Sequence, residues 1–138
     1  MPVRRPPMLL LGVALLTLSG CMRAGVPATA TATPPTTFRE RIAALALTQV
    51  QFGSVSLLPV RFEHSRITPF FEDGGRILYC VTSRMKGRSL FKPERPKVVI
   101  REEKGTERLS IVANEDEVCE GHRTEPFPEL NALGNRAG

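Results

Sequence analysis

The chain has 138 residues, with 19 Lys and Arg against 14 Asp and Glu, three Cys and no Trp. That length supports one small domain and excludes two, each with its own core. A formal net charge of +5 is too small to imply a nucleic-acid partner.

Residues 1–20 fall into three zones. Arg4 and Arg5 make a positive start, residues 8–18 are apolar or small throughout, and Ser19 and Gly20 follow. This is the layout of an export signal. Its apolar stretch is 11 residues, short of the roughly 20 that a membrane-crossing helix needs. The twin Arg is not followed by the pattern of a folded-protein export signal, so export in the unfolded state is expected.

The run "LSGC", Leu18 to Cys21, resembles the lipobox of bacterial lipoproteins. The resemblance implies cleavage before Cys21 and acyl chains on its thiol and its new amino group. A Cys suits that role because the thiolate is a strong nucleophile. Each buried CH₂ adds about 0.8 kcal/mol of membrane affinity, and stable anchoring takes more than one chain. Residues 1–20 are thus expected to be a signal peptide. The remaining 118 residues carry 17 basic and 14 acidic side chains, a net of +3.

Residues 21–36 are expected to be the lipidated Cys21 and a flexible linker. The stretch "RAGVPATATATPPT" has one charge, repeated Ala-Thr and a Pro pair, a composition that does not pack. Its 14 residues reach at most about 45 Å when fully extended.

A single domain is expected over 37–138. Thr37 and Glu40 in "TFRE" form a capping box. Phe38, Ile42, Leu45 and Gln49 then recur at helical spacing with Ala46 beside them, which predicts a helix running to about residue 52 with Gly53 as its stop. Beyond residue 54 the pattern has period two. Residues 60–64 alternate, and residues 76–82 place Ile77, Tyr79 and Val81 on one face. Residues 97–101 form another strand, and "REEKGTERLSIV" reads as a hairpin turning at Lys104-Gly105. Asp73-Gly74-Gly75 is a turn, and Pro59, Pro69, Pro93 and Pro96 sit between runs. The ending "TEPFPELNALGNRAG", with two Pro, is expected to be an irregular tail. The fold class is therefore α+β: one N-terminal helix on a three- to four-stranded antiparallel sheet.

With Cys21 acylated, Cys80 and Cys119 remain as an even pair. In an oxidising envelope compartment a disulfide between them is expected; metal binding and free thiols are the alternatives. Cys119-Glu120-Gly121-His122 is half of a metal site, but no second Cys or His stands at ligand spacing. No metal and no other cofactor is expected. Residues 83–97 carry Arg84, Lys86, Arg88, Lys92, Arg95 and Lys97 against Glu94, together with Phe91. These six cations are candidate contacts to anionic lipid or to an anionic envelope polymer. A solvated hairpin tip, or pairing with the acidic residues Glu115, Asp116, Glu117 and Glu120, is the simpler reading. His64 and Ser65 are neighbours, and neighbours on a strand face opposite ways. Glu102 and Glu103 are expected to be solvated near the hairpin turn. No phosphate loop, nucleophile elbow or HExxH occurs, so no enzymatic activity is expected.

Taken together, "LSGC", a polar linker, one helix, a "YCV" strand, a later Cys and a terminal "PFPEL" resemble small bacterial envelope lipoproteins of unassigned function. The resemblance implies a lipid-anchored protein with a non-enzymatic structural or binding role, meeting an envelope protein or anionic polymer. Met22 follows the Cys. In lipoproteins with a sorting system Asp at that place favours the inner membrane, so the periplasmic face of the outer membrane is expected. The alternative is an inhibitor or immunity-type lipoprotein that blocks a hydrolase with its basic loop.

Overall fold

The computed structural model describes residues 34–136; the expectations for the signal peptide, Cys21 and most of the linker lie outside them. Helix α1 (Phe38–Leu47) begins on the predicted capping box. Thr37 Oγ1 accepts from the Glu40 N–H at 3.1 Å, and the Glu40 carboxylate accepts from the Thr37 N–H at 3.0 Å. Two otherwise unpaired donors of the first turn are thereby satisfied. Ile42, Ala43 and Ala46 are buried, the two Ala allowing close approach to the sheet.

The helix is shorter than expected. Thr48 folds its hydroxyl back onto the Leu45 carbonyl at 2.7 Å, and Gln49 is extended. One 3₁₀ turn, Val50–Phe52, follows, and Gly53 closes that turn rather than the α-helix. The break swings Phe52 into the core, where it stacks on Phe62.

The sheet has six antiparallel strands: β1 (Arg61–Ile67), β2 (Phe71–Asp73), β3 (Arg76–Lys86), β4 (Lys97–Glu103), β5 (Arg108–Val112) and β6 (Glu125–Pro126). They run in the order β5-β4-β3-β1-β6, with β2 paired to the start of β3. This corrects the expected three to four strands; β2 and β6 are too short to show a period. Gly74 and Gly75 connect β2 to β3 with φ of +55° and +78°, the geometry of a two-residue hairpin that Gly adopts without strain. Thr68 bridges the gap where β3 passes from β1 to β2, since its hydroxyl accepts from the Cys80 N–H at 2.8 Å.

In β1 the register slips between Glu63 and Arg66. His64, at φ +51°, and Ser65 together fill a bulge. The bulge inverts the alternation, so Phe62, Ser65 and Ile67 all point inward. The expected 60–64 pattern therefore marks only half of this strand.

The tail is not irregular. β6 adds to the outer edge of β1, and helix α2 (Pro128–Gly134) follows with Pro128 in its first turn, where a missing N–H costs nothing. Past β6 the same edge is completed by a side chain. The Asn135 amide accepts from the Phe62 N–H at 2.8 Å and donates to the Phe62 carbonyl at 3.0 Å. Arg39 ties α1 to this ending through Glu125 at 2.6 Å and Glu129 at 2.7 Å.

Both helices cover one face of the sheet. Tyr79 and Val81 point to that face as expected, joined by Met85, Val98 and Ile100. Leu78, Cys80 and Val99 form a second, smaller core on the other face. Gly134 packs so tightly that a Cβ there would lie 2.3 Å from the Phe62 ring. Gly134→Ala is expected to lower stability by about 1–3 kcal/mol through overpacking; an unchanged melting temperature would show that α2 does not press on β1.

Candidate functional site

The outer face of the sheet, opposite the helices, carries both features that the sequence singles out within the domain. At one end lies the disulfide. Cys80, midway along β3, is bonded to Cys119 in the 3₁₀ turn Asp116–Cys119, with a Cα–Cα distance of 5.8 Å. Val118 and Cys119 cover Leu78 and Val99. Arg76 fastens the same segment, pairing with Asp73 at 2.8 Å and Glu115 at 2.9 Å. These two carboxylates raise the Arg76 guanidinium above its ordinary value by hydrogen bonding. Glu115 thus serves the staple and does not pair with the basic loop. His122 stacks on Phe71 with ring centroids 3.9 Å apart. Cys119 is consumed by the disulfide, so the half metal site is not assembled. Among the described residues no cluster of three His, Cys, Asp or Glu is placed to hold a metal.

The six cations divide between strand and loop. β3 runs to Lys86, so Arg84 and Lys86 belong to the sheet. Cross-strand pairs share a face, and Arg84 stands opposite Glu63, Lys86 opposite Arg61, and Lys97 opposite Thr82, which faces Arg66 on its other side. Arg84, Lys86 and Lys97 therefore meet Arg61 and Arg66 on the outer face. Reading the cations by nearness in the chain misses Arg61 and Arg66; only the strand register gathers them. Lys86 Nζ holds Glu63 at 2.9 Å. That hydrogen bond keeps the Glu63 carboxyl below its usual range against the opposing effect of burial, helped by the charges of Lys86, Arg84 and Arg61. Arg84 Nε is buried with no acceptor among the described residues.

Arg88, Lys92 and Arg95 sit in the connection 87–96. Arg88 forms an ion pair with Glu94 and donates to the Val50 carbonyl at 2.9 Å. Its hydrogen bond lowers the Glu94 carboxyl, again against burial. Met85 and Glu94 exchange backbone hydrogen bonds of 2.8 and 2.9 Å, so the connection is a closed loop. Lys92 and Arg95 are exposed and have no carboxylate within ion-pair distance among the described residues.

The remaining polar groups fasten the fold. Ser65 and Ser83 are buried side by side, their hydroxyls 2.7 Å apart, and Ser65 Oγ donates to Asn131 Oδ1 at 2.6 Å. A hydroxyl whose proton goes to an amide oxygen is not activated as a nucleophile. His64 is exposed while Ser65 is buried, so the neighbours do point apart. Burial raises the Tyr79 phenol, and Glu102, which accepts its proton at 2.7 Å, raises it further. Glu102 is thus a hydrogen-bonded strand residue rather than a solvated one; Glu103 is exposed. A cavity of about 400 Å³ opens beneath residues 53–60, against Leu47, Phe52 and Phe62.

No family model, curated protein or solved structure matches the chain.

The disulfide joins residues 39 apart, and closing such a loop constrains the unfolded chain by roughly 4 kcal/mol in the chain-entropy model. Replacing both Cys80 and Cys119 by Ala is expected to lower stability on that scale, and peptide mapping without reductant should recover the two linked. Two alkylatable thiols in the native protein would contradict this. The depressed carboxyls of Glu63 and Glu94 stabilise the fold above the ordinary carboxylate range, and that contribution is lost as pH falls through their folded-state values. Glu94→Gln should therefore be less stable than the parent at neutral pH and converge with it in acid; a constant gap at all pH would remove the Arg88 pair from the account.

Proposed function

We propose that this chain is a bacterial envelope lipoprotein, anchored by acyl groups on Cys21, with a binding rather than a catalytic role. The observation that carries the reading is the apolar run ending in Leu18-Ser19-Gly20-Cys21, in a chain whose other two Cys are bonded to each other. An acyl anchor on Cys21 accounts for the third. Met22 favours placement at the periplasmic face of the outer membrane. The domain's partner is an anionic envelope polymer or a protein with an acidic surface, met by the outer-face cations. Three features support this partner: the register that places Arg61, Arg84 and Lys97 on one face with Arg66, whose guanidinium donates to Thr124 at 2.7 Å, at its margin; the engagement of Glu63 by Lys86; and Arg84 Nε, which has no acceptor among the described residues.

In cells fed labelled palmitate, the parent chain should take up label and fractionate with membranes, and Cys21→Ser should do neither. Retention of both by the variant would refute the anchor. Binding to isolated cell-wall sacculi should weaken as salt rises and on Arg84→Glu with Lys97→Glu, because contacts between exposed charges are screened. Absence of binding at low salt would refute the polymer partner.

A further inference from the structure

Two loops meet at one end of the sheet, where β3 finishes and β4 begins. Residues 50–60 lead into β1, and residues 87–96 join β3 to β4. They are held together: Arg88 donates to the Val50 carbonyl, and Gly87 packs so closely on Pro59 that a Cβ would lie 2.2 Å from its carbonyl oxygen. From this joined tip project large apolar side chains with almost no cover. Leu57 is 101% exposed, Phe91 96% and Leu90 87%, with Val55 and Leu58 beside them at 68% and 52%. Apolar groups gathered this way mark an interaction site, unlike single exposed Leu residues scattered over a surface.

The unpaired charge beside them is positive. Arg88, Lys92 and Arg95 share the loop with Leu90 and Phe91, Lys86 at its base holds Glu63 at 2.9 Å, and the only acid within residues 50–61 and 86–97 is Glu94. Glu94 is occupied by Arg88. An acidic or neutral protein groove could accept the apolar groups, but two features favour a lipid surface. Leu57, Leu90 and Phe91 are left almost wholly open to solvent by the two loops that carry them, which suits insertion into a fluid boundary. Long basic side chains at the margin can extend to headgroups while their stems stay apolar.

We propose that this tip docks on an anionic lipid surface, with Leu57, Leu90 and Phe91 entering the boundary between headgroups and acyl chains and Lys92 and Arg95 lying on the phosphates. The proposal rests on the Cys21 anchor only to bring the bilayer within reach. The domain begins at the far end of the sheet, where Phe38 packs edge-on against Tyr79 and Arg41 pairs with Glu107. β3, with 11 residues, spans roughly 36 Å. The 16 residues from Met22 to Thr37 extend to at most about 53 Å. A linker of that length reaches past the domain, so anchor and tip can share one leaflet. Two membrane contacts then hold what one lipid-modified residue begins.

The chain has no Trp, so Phe91→Trp in the full-length protein gives a single local reporter at a position with no core contacts. Thr106→Trp, in the β4–β5 turn at the opposite end, is the control. With vesicles of phosphatidylethanolamine and phosphatidylglycerol, the Trp at 91 should shift to the blue and be quenched by acyl-brominated lipid, and the Trp at 106 should not. Adding Lys92→Gln and Arg95→Gln, which removes two cations worth about 1 kcal/mol each at an anionic surface, should weaken insertion of the tip roughly 30-fold. An unmoved spectrum at 91, an equal shift at 106, or a shift that grows with protein concentration without vesicles would overturn the proposal, the last in favour of a second copy of this chain. The readout is local to the tip, so its failure is distinct from the loss of palmitate labelling that would remove the anchor.

Discussion

The bond between Cys80 and Cys119 lets a domain of this size bury both faces of its central strand. β3 has helices on one side, but its other side also carries apolar side chains, Leu78 and Cys80, beside Val99 of β4. No third helix or second sheet covers them among the described residues. The cover is a short segment with one 3₁₀ turn, and its apolar contribution is little more than Val118 and Cys119. Burial of so little surface cannot hold a segment against its own entropy. The crosslink does so covalently, and Arg76 adds two ion pairs at the same end. The staple also divides the outer face: its covered end is closed, and the end toward residues 82–86 stays open and basic.

The legible parts of this fold are those in which a residue's neighbours in the chain are also its partners in space. The capping box of Thr37 and Glu40 is local, and both of its hydrogen bonds form. Period two marks β3 and β5, which keep an unbroken pleat, and β4 shows as a short apolar run, Val98 to Ile100, buried on both faces. The cysteine pair, 39 residues apart, is the exception: it is legible from the expected anchor on Cys21, which leaves two thiols. Other features depend on contacts distant in sequence. Val50 and Phe52 prolong the helical spacing, yet Gln49 is extended between them and the helix. The bulge at His64 inverts the face of Ser65 and Ile67. Pro126 and Pro128 read as breakers, but one lies on an edge strand and the other in a helix's first turn, the two settings that tolerate Pro.

The same limit applies to the candidate site. Six cations between residues 84 and 97 look like one loop in the sequence. The fold sends Arg84, Lys86 and Lys97 to the sheet face with Arg61 and Arg66, and leaves Arg88, Lys92 and Arg95 at a tip with Leu90 and Phe91. The two groups suit different surfaces. The proposed partner of the cationic face is an extended polyanion, and that of the apolar tip is the headgroup layer. Both uses assume that the domain is held at a membrane, and the linker's length is what would let one tethered domain serve both.

That tether is the central claim, and the intact mass of the chain extracted from membranes without reductant tests it directly. The expected species is a polypeptide that starts at Cys21, carries the added mass of three acyl chains and the glyceryl group on that residue, and is two hydrogens lighter for the Cys80–Cys119 bond. A chain that retains residues 1–20 with an unmodified Cys21 would contradict it.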